Sequence, residues 1–132
     1  PWWYLDGLDT RFGDTRLAAV DPIGALAAAI PTAQVLGCVV YVGSNRPAPN
    51  RIDWNGRKRL ILGEPRSAAT PRLREVVDLL KAGGIDAEPT DDIRSAVWHK
   101  LLGNAAFNPI SAVTAATIDV IAGDPPLQAE CL

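Results

Sequence analysis

Eight consecutive residues constrain the fold of this chain more than any other feature. Residues 35–42 read Val-Leu-Gly-Cys-Val-Val-Tyr-Val, a nearly continuous run of apolar and β-branched side chains. A strand with one face in water alternates apolar and polar residues, whereas a run of this kind is typical of a strand buried on both faces. The run therefore predicts a sheet covered on both sides, as in the α/β class.

Two helices are predicted around this strand from the same start signal. Asp21-Pro22 combines a preferred N-cap residue with proline at the first helical position, and Pro31 ends the helix that follows. Thr70-Pro71 repeats the signal, and Gly83-Gly84 supplies a stop. Between them an amphipathic stripe at i, i+3, i+4 and i+7 is formed by Leu73, Val76, Val77 and Leu80.

The remaining strands are predicted from turn signals. Residues 43–50 are rich in Gly, Ser, Asn and Pro and predict a loop. Asn55-Gly56 favours a tight type I′ turn, so we expect residues 52–54 and 58–62 to pair as a hairpin. Residues 85–89 are short and predict a final edge strand. This order is typical of the closing part of a mixed α/β domain.

The pattern changes near residue 90. Asp91 and Asp92 favour the positive end of a helix dipole, and residues 93–107 are apolar almost all round, which predicts a helix buried on most sides. Asn108-Pro109 should bend or end this helix. A weaker helical stretch, 111–121, is ended by Asp124-Pro125-Pro126. We therefore expect two domains, 1–90 and 91–132.

Composition narrows the class of protein. The chain has 132 residues, of which 48% are hydrophobic and 21% charged, as in soluble globular proteins. Its net charge of -2 gives no reason to expect nucleic acid or an anionic membrane as a partner. Cys38 lies inside the apolar run, so a buried free thiol is favoured over a disulfide with Cys131, and a cytoplasmic location fits. A single histidine and no Cys/His cluster predict no metal site.

The ends of the chain suggest a piece of a longer protein. No methionine occurs anywhere, and the sequence opens on the apolar and aromatic residues Pro1-Trp2-Trp3-Tyr4. Such a cluster suits a core better than a frayed terminus. We therefore expect both ends to be truncated.

Three polar residues stand out in the apolar helical segment. Lys100, Asn104 and Asn108 are spaced i, i+4, i+8, which places them within an arc of about 80° and about 12 Å along a helix. Burying an unpaired ammonium is costly, so such a lysine has a partner or lines a wet cleft. The alternative is that the lysine extends to solvent and the asparagines only satisfy backbone groups near Pro109. Spacing alone leaves both interpretations open.

This segment resembles the start of the helical domain in ketopantoate reductases. The similarity is carried by Asp92-Ile93-Arg94, Trp98, Lys100-Leu101, Asn104 and Asn108-Pro109. Further matching pieces occur in the same order, namely Pro1-Trp2-Trp3-Tyr4, Val20-Asp21-Pro22, Gly37-Cys38-Val39-Val40-Tyr41 and Leu62-Gly63-Glu64-Pro65. The resemblance extends over nearly the whole chain. It implies the closing part of a Rossmann-like mixed sheet, followed by the first helices of an all-α C-terminal domain.

The resemblance also implies a reaction. In that family NADPH reduces a 2-keto acid, 2-dehydropantoate, to the 2-hydroxy acid pantoate in pantothenate biosynthesis. Lys100 would protonate the carbonyl oxygen as hydride arrives at the carbon, and Asn104 and Asn108 would bind the substrate. Glu130 corresponds to a recurrent glutamate on the next helix; a solvated surface carboxylate is the alternative.

The glycine fingerprint of a dinucleotide site is not found in this sequence. No Gly-x-Gly-x-x-Gly occurs, so we expect no cofactor-binding residue in this chain, although the parent protein would use NADPH. The implied partner is a small-molecule keto acid. The competing hypothesis is a catalytically silent, truncated fragment that self-associates through an exposed sheet edge and exposed helices.

Overall fold

The computed structural model describes residues 1–54, 58–66 and 68–131. It confirms the predicted α/β class, a small mixed sheet followed by helices. The elements in chain order are α1 Ala25–Ala29, a 3₁₀ turn Thr32–Gln34, β1 Gly37–Tyr41, β2 Ser44–Ala48, β3 Arg51–Trp54, β4 Arg59–Gly63, α2 Pro71–Ala82, β5 Asp86–Thr90, α3 Ile93–Thr114, α4 Ile118–Gly123 and α5 Pro125–Glu130.

The chain divides into two compact units, Pro1–Arg94 and Ser95–Leu132. The first contains the strands and the second contains most of α3 with α4 and α5. The two domains expected from the sequence, 1–90 and 91–132, stay a prediction, because compact packing alone does not define a domain.

The main sheet has the order β1-β4-β5 in the described part of the chain. β1 runs antiparallel to β4 with Gly37 opposite Gly63, and β5 runs parallel to β4 with Leu60 opposite Ala87. The parallel pair requires a crossover, which α2 provides. The edge strand predicted at residues 85–89 is thus observed one residue later, as β5.

The hairpin predicted around Asn55-Gly56 is wrong in its pairing. Residues 44–48, predicted as a loop, form β2, which pairs with β3, while β4 pairs with β1. β2 and β3 form a separate two-stranded sheet, and the turn that joins them lies at Pro49-Asn50. Two residues separate β1 from β2 and four separate β3 from β4, so the register shifts between the ladders. The predicted turn itself, 55–56, lies outside the described residues.

β1 is buried on one face in this chain, which corrects the prediction of a strand buried on both faces. Gly37 and Val39 are buried, whereas Cys38 and Val40 are exposed. The two exposed residues face the same way as Leu62 of β4, which α2 covers. The prediction of a buried Cys38 thiol is therefore wrong, although both cysteines are free.

α2 forms as predicted. The Thr70 hydroxyl accepts a hydrogen bond from the Leu73 amide at 3.3 Å, and Gly84 adopts φ +79° just beyond the last turn. Leu73 and Val77 of the predicted stripe are buried against Leu62 and Ala87 of the sheet. This cluster is the core of the first unit.

α1 is shorter than predicted. Gly24 takes a left-handed conformation at φ +75°, so the helix begins at Ala25 and not at Pro22. Asp21 still contacts it, because its buried carboxylate accepts hydrogen bonds from the amides of Leu26 and Ala27, both at 3.1 Å. The predicted N-cap position is therefore wrong, since Gly24 occupies it, although Asp21 does bind amides of the first turn.

α3 differs from its prediction in two respects. It continues through Pro109 to Thr114, although an interior proline removes one helical hydrogen bond. It is also not buried on most sides in this chain, since Trp98, Leu101 and Leu102 are each about half exposed. Among the described residues, none of the helices combines the length and hydropathy needed to span a membrane.

The helix predicted over residues 111–121 is wrong in its bounds, because residues 111–114 belong to α3 and α4 begins only at Ile118, and α5 was not predicted. α3 ends near Ala115, which has φ +54°, and α4 follows. Asp124-Pro125-Pro126 ends α4 as expected, but it also starts α5, because the Asp124 carboxylate accepts from the Leu127 amide at 3.1 Å. The same residues therefore act as stop and start signals.

Candidate functional site

The first residue of α3 packs against two glycines of the sheet. Ile93 is almost completely buried against the paired Gly37 and Gly63. A Cβ added at Gly37 would lie 2.5 Å from Ile93 Cγ1 and 3.0 Å from two ring atoms of Trp3, and one at Gly63 would lie 2.7 Å from Ile93 Cβ. Glycine is therefore required at both positions so that α3 can begin directly on the sheet.

The next residue ties α3 to the beginning of the chain. Arg94 donates from Nε to the carbonyl oxygen of Tyr4 and from Nη2 to that of Asp6, both at 2.6 Å. The Tyr4 hydroxyl donates in return to the Arg94 carbonyl oxygen at 3.5 Å. The Asp6 carboxylate is held by both Nε and Nη2 of Arg66, at 2.8 and 2.6 Å. Residues 4–6 are thus hydrogen-bonded to two arginines, Arg66 and Arg94.

These contacts affect the ionisation of Asp6. Hydrogen bonding from Arg66 lowers the pKa of Asp6 below its ordinary value, against the opposing effect of partial burial. The same pair raises the pKa of Arg66. Both groups are therefore charged near neutral pH, and the bidentate pairing gives the contact a fixed geometry.

A second charged network lies where β4 leads into α2. The buried carboxylate of Glu64 accepts from the Thr70 hydroxyl and from the Arg72 guanidinium, which contributes Nε at 2.9 Å and Nη2. Arg72 also donates to the carbonyl oxygen of Val35 at 3.2 Å. Hydrogen bonding from Arg72 lowers the pKa of Glu64, with burial opposing it. An open cavity of about 360 Å³ borders this network, and its lining residues are Thr32, Ala33, Glu64, Pro65, Arg66, Thr70, Pro71 and Arg72.

The turn from β4 to α2 is a strand-to-helix turn of the kind that can hold a pyrophosphate, but its residues do not fit one. The Thr70 hydroxyl already accepts from the Leu73 amide at the helix start. The carboxylate of Glu64 stands beside that hydroxyl and carries negative charge. A pyrophosphate needs free amides and no neighbouring anion. The described residues of this turn are therefore poorly suited to a pyrophosphate.

Lys100, Asn104 and Asn108 all lie on α3, as their spacing predicts. Lys100 is half-buried, whereas Asn104 and Asn108 are exposed. Because the helix is unbroken from Ile93 to Thr114, the three side chains share one strip despite the proline that follows Asn108. The strip therefore presents one cationic donor and two amides along a single rigid element.

Glu130 lies beside a different face of α3. It lines a shallow groove of about 270 Å³ with Leu127 and four α3 residues, Pro109, Ile110, Val113 and Thr114. Relative to Lys100, these four lie at about 180° to 320° around an ideal helix, whereas Asn104 and Asn108 lie at about 40° and 80°. The helical unit brings Lys100, Asn104 and Asn108 onto one strip and does not bring Glu130 onto it.

Sequence reasoning missed the roles of Arg94 and Glu64. Both residues occur in the quoted motifs. Arg94 binds Tyr4, which is 90 residues away, and Glu64 binds Arg72, which no motif singles out. The available signals were an arginine directly after the buried first residue of α3 and a glutamate directly after a strand-ending glycine. Neither signal identifies a partner: Arg94 binds backbone carbonyls, which leave no sequence pattern, and Arg72 is one of several arginines that follow Glu64 in the sequence.

Comparison with known proteins identifies relatives along most of the chain. The family model described as "Ketopantoate reductase PanE/ApbA C terminal" matches residues 92–131. A 2-dehydropantoate 2-reductase of Mesorhizobium japonicum is 42% identical over 124 residues, which are 94% of this chain and 38% of that protein. One from Archaeoglobus fulgidus is 31% identical over 80 residues, 61% of this chain and 27% of that protein.

Solved structures agree with these relatives. A crystal structure of a protein assigned as a ketopantoate reductase, from Ralstonia solanacearum, superposes with a TM-score of 0.89 and 44% identity, covering 99% of this chain and 40% of that one. The 2-dehydropantoate 2-reductase of Geobacter metallireducens gives a TM-score of 0.70 and 30% identity, covering 80% and 35%. The matched parts make up only 27% to 40% of the lengths of these relatives, and this chain belongs to the ketopantoate reductase family.

Proposed function

We propose that the protein containing this chain is an oxidoreductase that uses NADPH to reduce a 2-keto acid, 2-dehydropantoate, to the 2-hydroxy acid pantoate. The relatives that match the chain over most of its length are named 2-dehydropantoate 2-reductases. The observation that carries the proposal within this chain is the strip of Lys100, Asn104 and Asn108 on α3.

The chemistry assigned to Lys100 is general acid catalysis. When hydride adds to the carbonyl carbon, the carbon–oxygen π bond opens and its electron pair moves to the oxygen. The Lys100 ammonium donates a proton to that oxygen, and the resulting amine later regains a proton from water. Before the transfer, the positive charge favours the developing alkoxide. A lysine fits this role because its three donors rotate on a flexible stem.

The two asparagines are assigned to substrate binding. Each side-chain amide offers two donors and one acceptor, which suits the carboxylate and hydroxyl oxygens of a 2-keto acid of this class. Both side chains are exposed and follow Lys100 at one-turn intervals, so they can contact the far end of a substrate whose carbonyl lies at Lys100. We assign them to orientation of the substrate and not to proton transfer.

NADPH supplies the hydride when it is bound, and we propose that residues outside this chain hold it. The β4–α2 turn carries Glu64 where a pyrophosphate would need free amides. Titration of the purified 132-residue chain with NADPH tests this assignment. We expect no tight binding, and micromolar binding would contradict it.

The assignment of Lys100 is tested by steady-state kinetics of the full protein with 2-dehydropantoate and NADPH. For Lys100→Ala we expect turnover to fall by about 10²- to 10⁴-fold, the range that general acid catalysis contributes. The matched control is Lys81→Ala, which removes an exposed lysine from the last turn of α2. Near-normal turnover of Lys100→Ala would refute the assignment.

The asparagines should respond differently from the lysine. For Asn104→Ala and Asn108→Ala we expect the KM for the keto acid to rise and the Kd for NADPH to stay unchanged. Loss of one donor to a charged oxygen corresponds to about 1.5–3 kcal/mol, or roughly 10- to 100-fold in kcat/KM. An unchanged KM for the keto acid in both variants would contradict their role.

A second candidate concerns the chain by itself. The helical unit exposes large apolar side chains, among them Trp98, Leu102 and Val113, and such surfaces favour association. The 132-residue chain would then be catalytically silent and self-associated. Sedimentation of the purified chain distinguishes the two states, since a monomer over a wide concentration range counts against this candidate.

A further inference from the structure

Pro109 lies inside α3, where a proline weakens a helix. The helix continues past it to Thr114. Proline has no N–H, so the Ala105 carbonyl oxygen has no helical donor at this position, and the proline ring collides with that carbonyl group. Proline is the least favourable of all residue types in a helix interior. The stability of α3 therefore does not account for Pro109.

The residue directly before this proline is Asn108, one of the two side chains that we assign to the keto acid. Asn108 is helical, although proline disfavours this conformation in the residue before it. The cause is that the proline Cδ lies against the backbone N–H and the Cβ of the preceding residue. This crowding acts on the atom from which the Asn108 side chain extends, so it limits the rotamers of that side chain.

The ring is also the feature that distinguishes the two asparagines of the strip. The Asn108 side chain is exposed, and its amide forms no hydrogen bond within the described residues. An exposed side chain without such a bond samples several rotamers, and this freedom is lost when a ligand binds. Asn104 is exposed too, but it is followed by Ala105, so its rotamers are not limited by a ring.

We propose that Pro109 is a positioning residue for the keto acid: its ring restricts the Asn108 side chain, so that the amide is oriented before the substrate binds. This inference rests on the proposed function of Asn108. A side chain that is restricted in advance loses less freedom on binding, which strengthens the complex. Both residues belong to the compact unit Ser95–Leu132, so the effect depends on α3 alone.

Removing the ring should change stability and binding in opposite directions. In Pro109→Ala, position 109 regains an N–H for the Ala105 carbonyl, so α3 becomes more stable. The Asn108 side chain gains rotamers at the same time, so the keto acid binds less tightly. A purely structural role of Pro109 predicts a loss of stability instead, or no change in binding.

The test uses the full protein with NADPH and 2-dehydropantoate. For Pro109→Ala we expect the KM for the keto acid to rise about 2- to 10-fold, the range for immobilising one side chain, with kcat and the Kd for NADPH unchanged. The thermal midpoint should rise by about 2 °C or more. Val113→Ala is the matched control, because it also favours the helix, is 88% exposed and lies on the opposite side of α3 from Asn104. It should leave the KM unchanged.

A double-mutant cycle with Asn108→Ala isolates the positioning effect. In the Asn108→Ala background, Pro109→Ala should not raise the KM further, because the side chain that the ring restricts is gone. The inference is overturned if Pro109→Ala leaves the KM unchanged, raises it equally in both backgrounds or lowers the thermal midpoint, or if Val113→Ala raises the KM as much. An unchanged KM in Asn108→Ala overturns the proposed role of Asn108 and this inference with it. A KM that rises in Asn108→Ala and not in Pro109→Ala overturns only the role of Pro109.

Discussion

Replacing Gly37 by alanine should destabilise the protein, because the strand has no room for one more methyl group at that position. The added Cβ would lie 2.5 Å from Ile93 Cγ1 and 3.0 Å from two ring atoms of Trp3. Trp3 and Ile93 are both buried, so neither side chain can turn away into solvent. The substitution therefore forces the first turn of α3 or the Trp3 ring away from β1.

The size of the effect follows from two opposing contributions. Overpacking of a filled core costs about 1–3 kcal/mol. Alanine in place of glycine stabilises by about 0.4–1 kcal/mol, because it restricts the unfolded chain. We therefore expect a net loss of about 1–2 kcal/mol in the free energy of unfolding. In an Ile93→Ala background the closest contact disappears, so the same substitution should then cost less by about 1 kcal/mol.

Urea unfolding followed by tryptophan fluorescence and circular dichroism measures these differences. Gly103→Ala in α3 is the matched control, since its added Cβ meets no atom within 4 Å and alanine favours a helix interior by about 1 kcal/mol. We expect the control to be as stable as the wild type or more so. The reasoning is refuted if Gly37→Ala is as stable as the wild type, or if its cost is the same with and without the Ile93 side chain.

Three further predictions concern the first unit. Thr70→Ala should lower the free energy of unfolding by about 1 kcal/mol through loss of the α2 cap, measured as a lower urea midpoint. Because Arg72 lowers the pKa of Glu64, the stabilisation is present above the ordinary value of 4.5 and is lost as pH falls below it. The urea midpoints of wild type and Glu64→Gln should thus differ at pH 7 and converge below pH 4.5; a constant gap would contradict this. Cys38 is exposed, so it should react with a disulfide reagent without denaturant, and more slowly than a free thiol because partial burial raises its pKa; Cys38→Ser should lose that reaction.

The elements that could be predicted from the sequence are those whose start, apolar face and end are set by residues close together in the chain. α2 follows from a cap, a first-turn proline, a stripe and a glycine stop, all within fifteen residues. Its start signal, Thr70 and Pro71, consists of adjacent residues, so it can be identified without knowledge of the rest of the fold. The same holds for the Asp21 cap, except that Gly24 delays the helix by one turn.

The hairpin could not be predicted in this way. Two turn signals, Pro49-Asn50 and Asn55-Gly56, lie within eight residues, and local preference favours the second. In the structure the chain turns at Pro49-Asn50. β4 can then pair with β1 on one side and with β5 on the other. The exposure of Cys38 has a similar origin, since α2 covers β4 and β5 and leaves this face of β1 open.

The candidate site was predictable only in part. The strip of Lys100, Asn104 and Asn108 follows from helical spacing and survives the proline at 109. The anchor of α3 was not predictable, because Arg94 contacts backbone carbonyls 88 and 90 residues away in sequence. Such partners have no residue type to recognise, so only a structure can identify them.

We propose that this chain carries the proton donor of a keto-acid reductase, and one assay tests that proposal most directly. The full protein is mixed with NADPH, and NADPH absorbance is followed before and after addition of 2-dehydropantoate, for wild type and Lys100→Ala in parallel. We expect consumption of NADPH only after addition of the keto acid, and almost none with Lys100→Ala. No keto-acid-dependent consumption by the wild type, or equal consumption by both proteins, would contradict the claim.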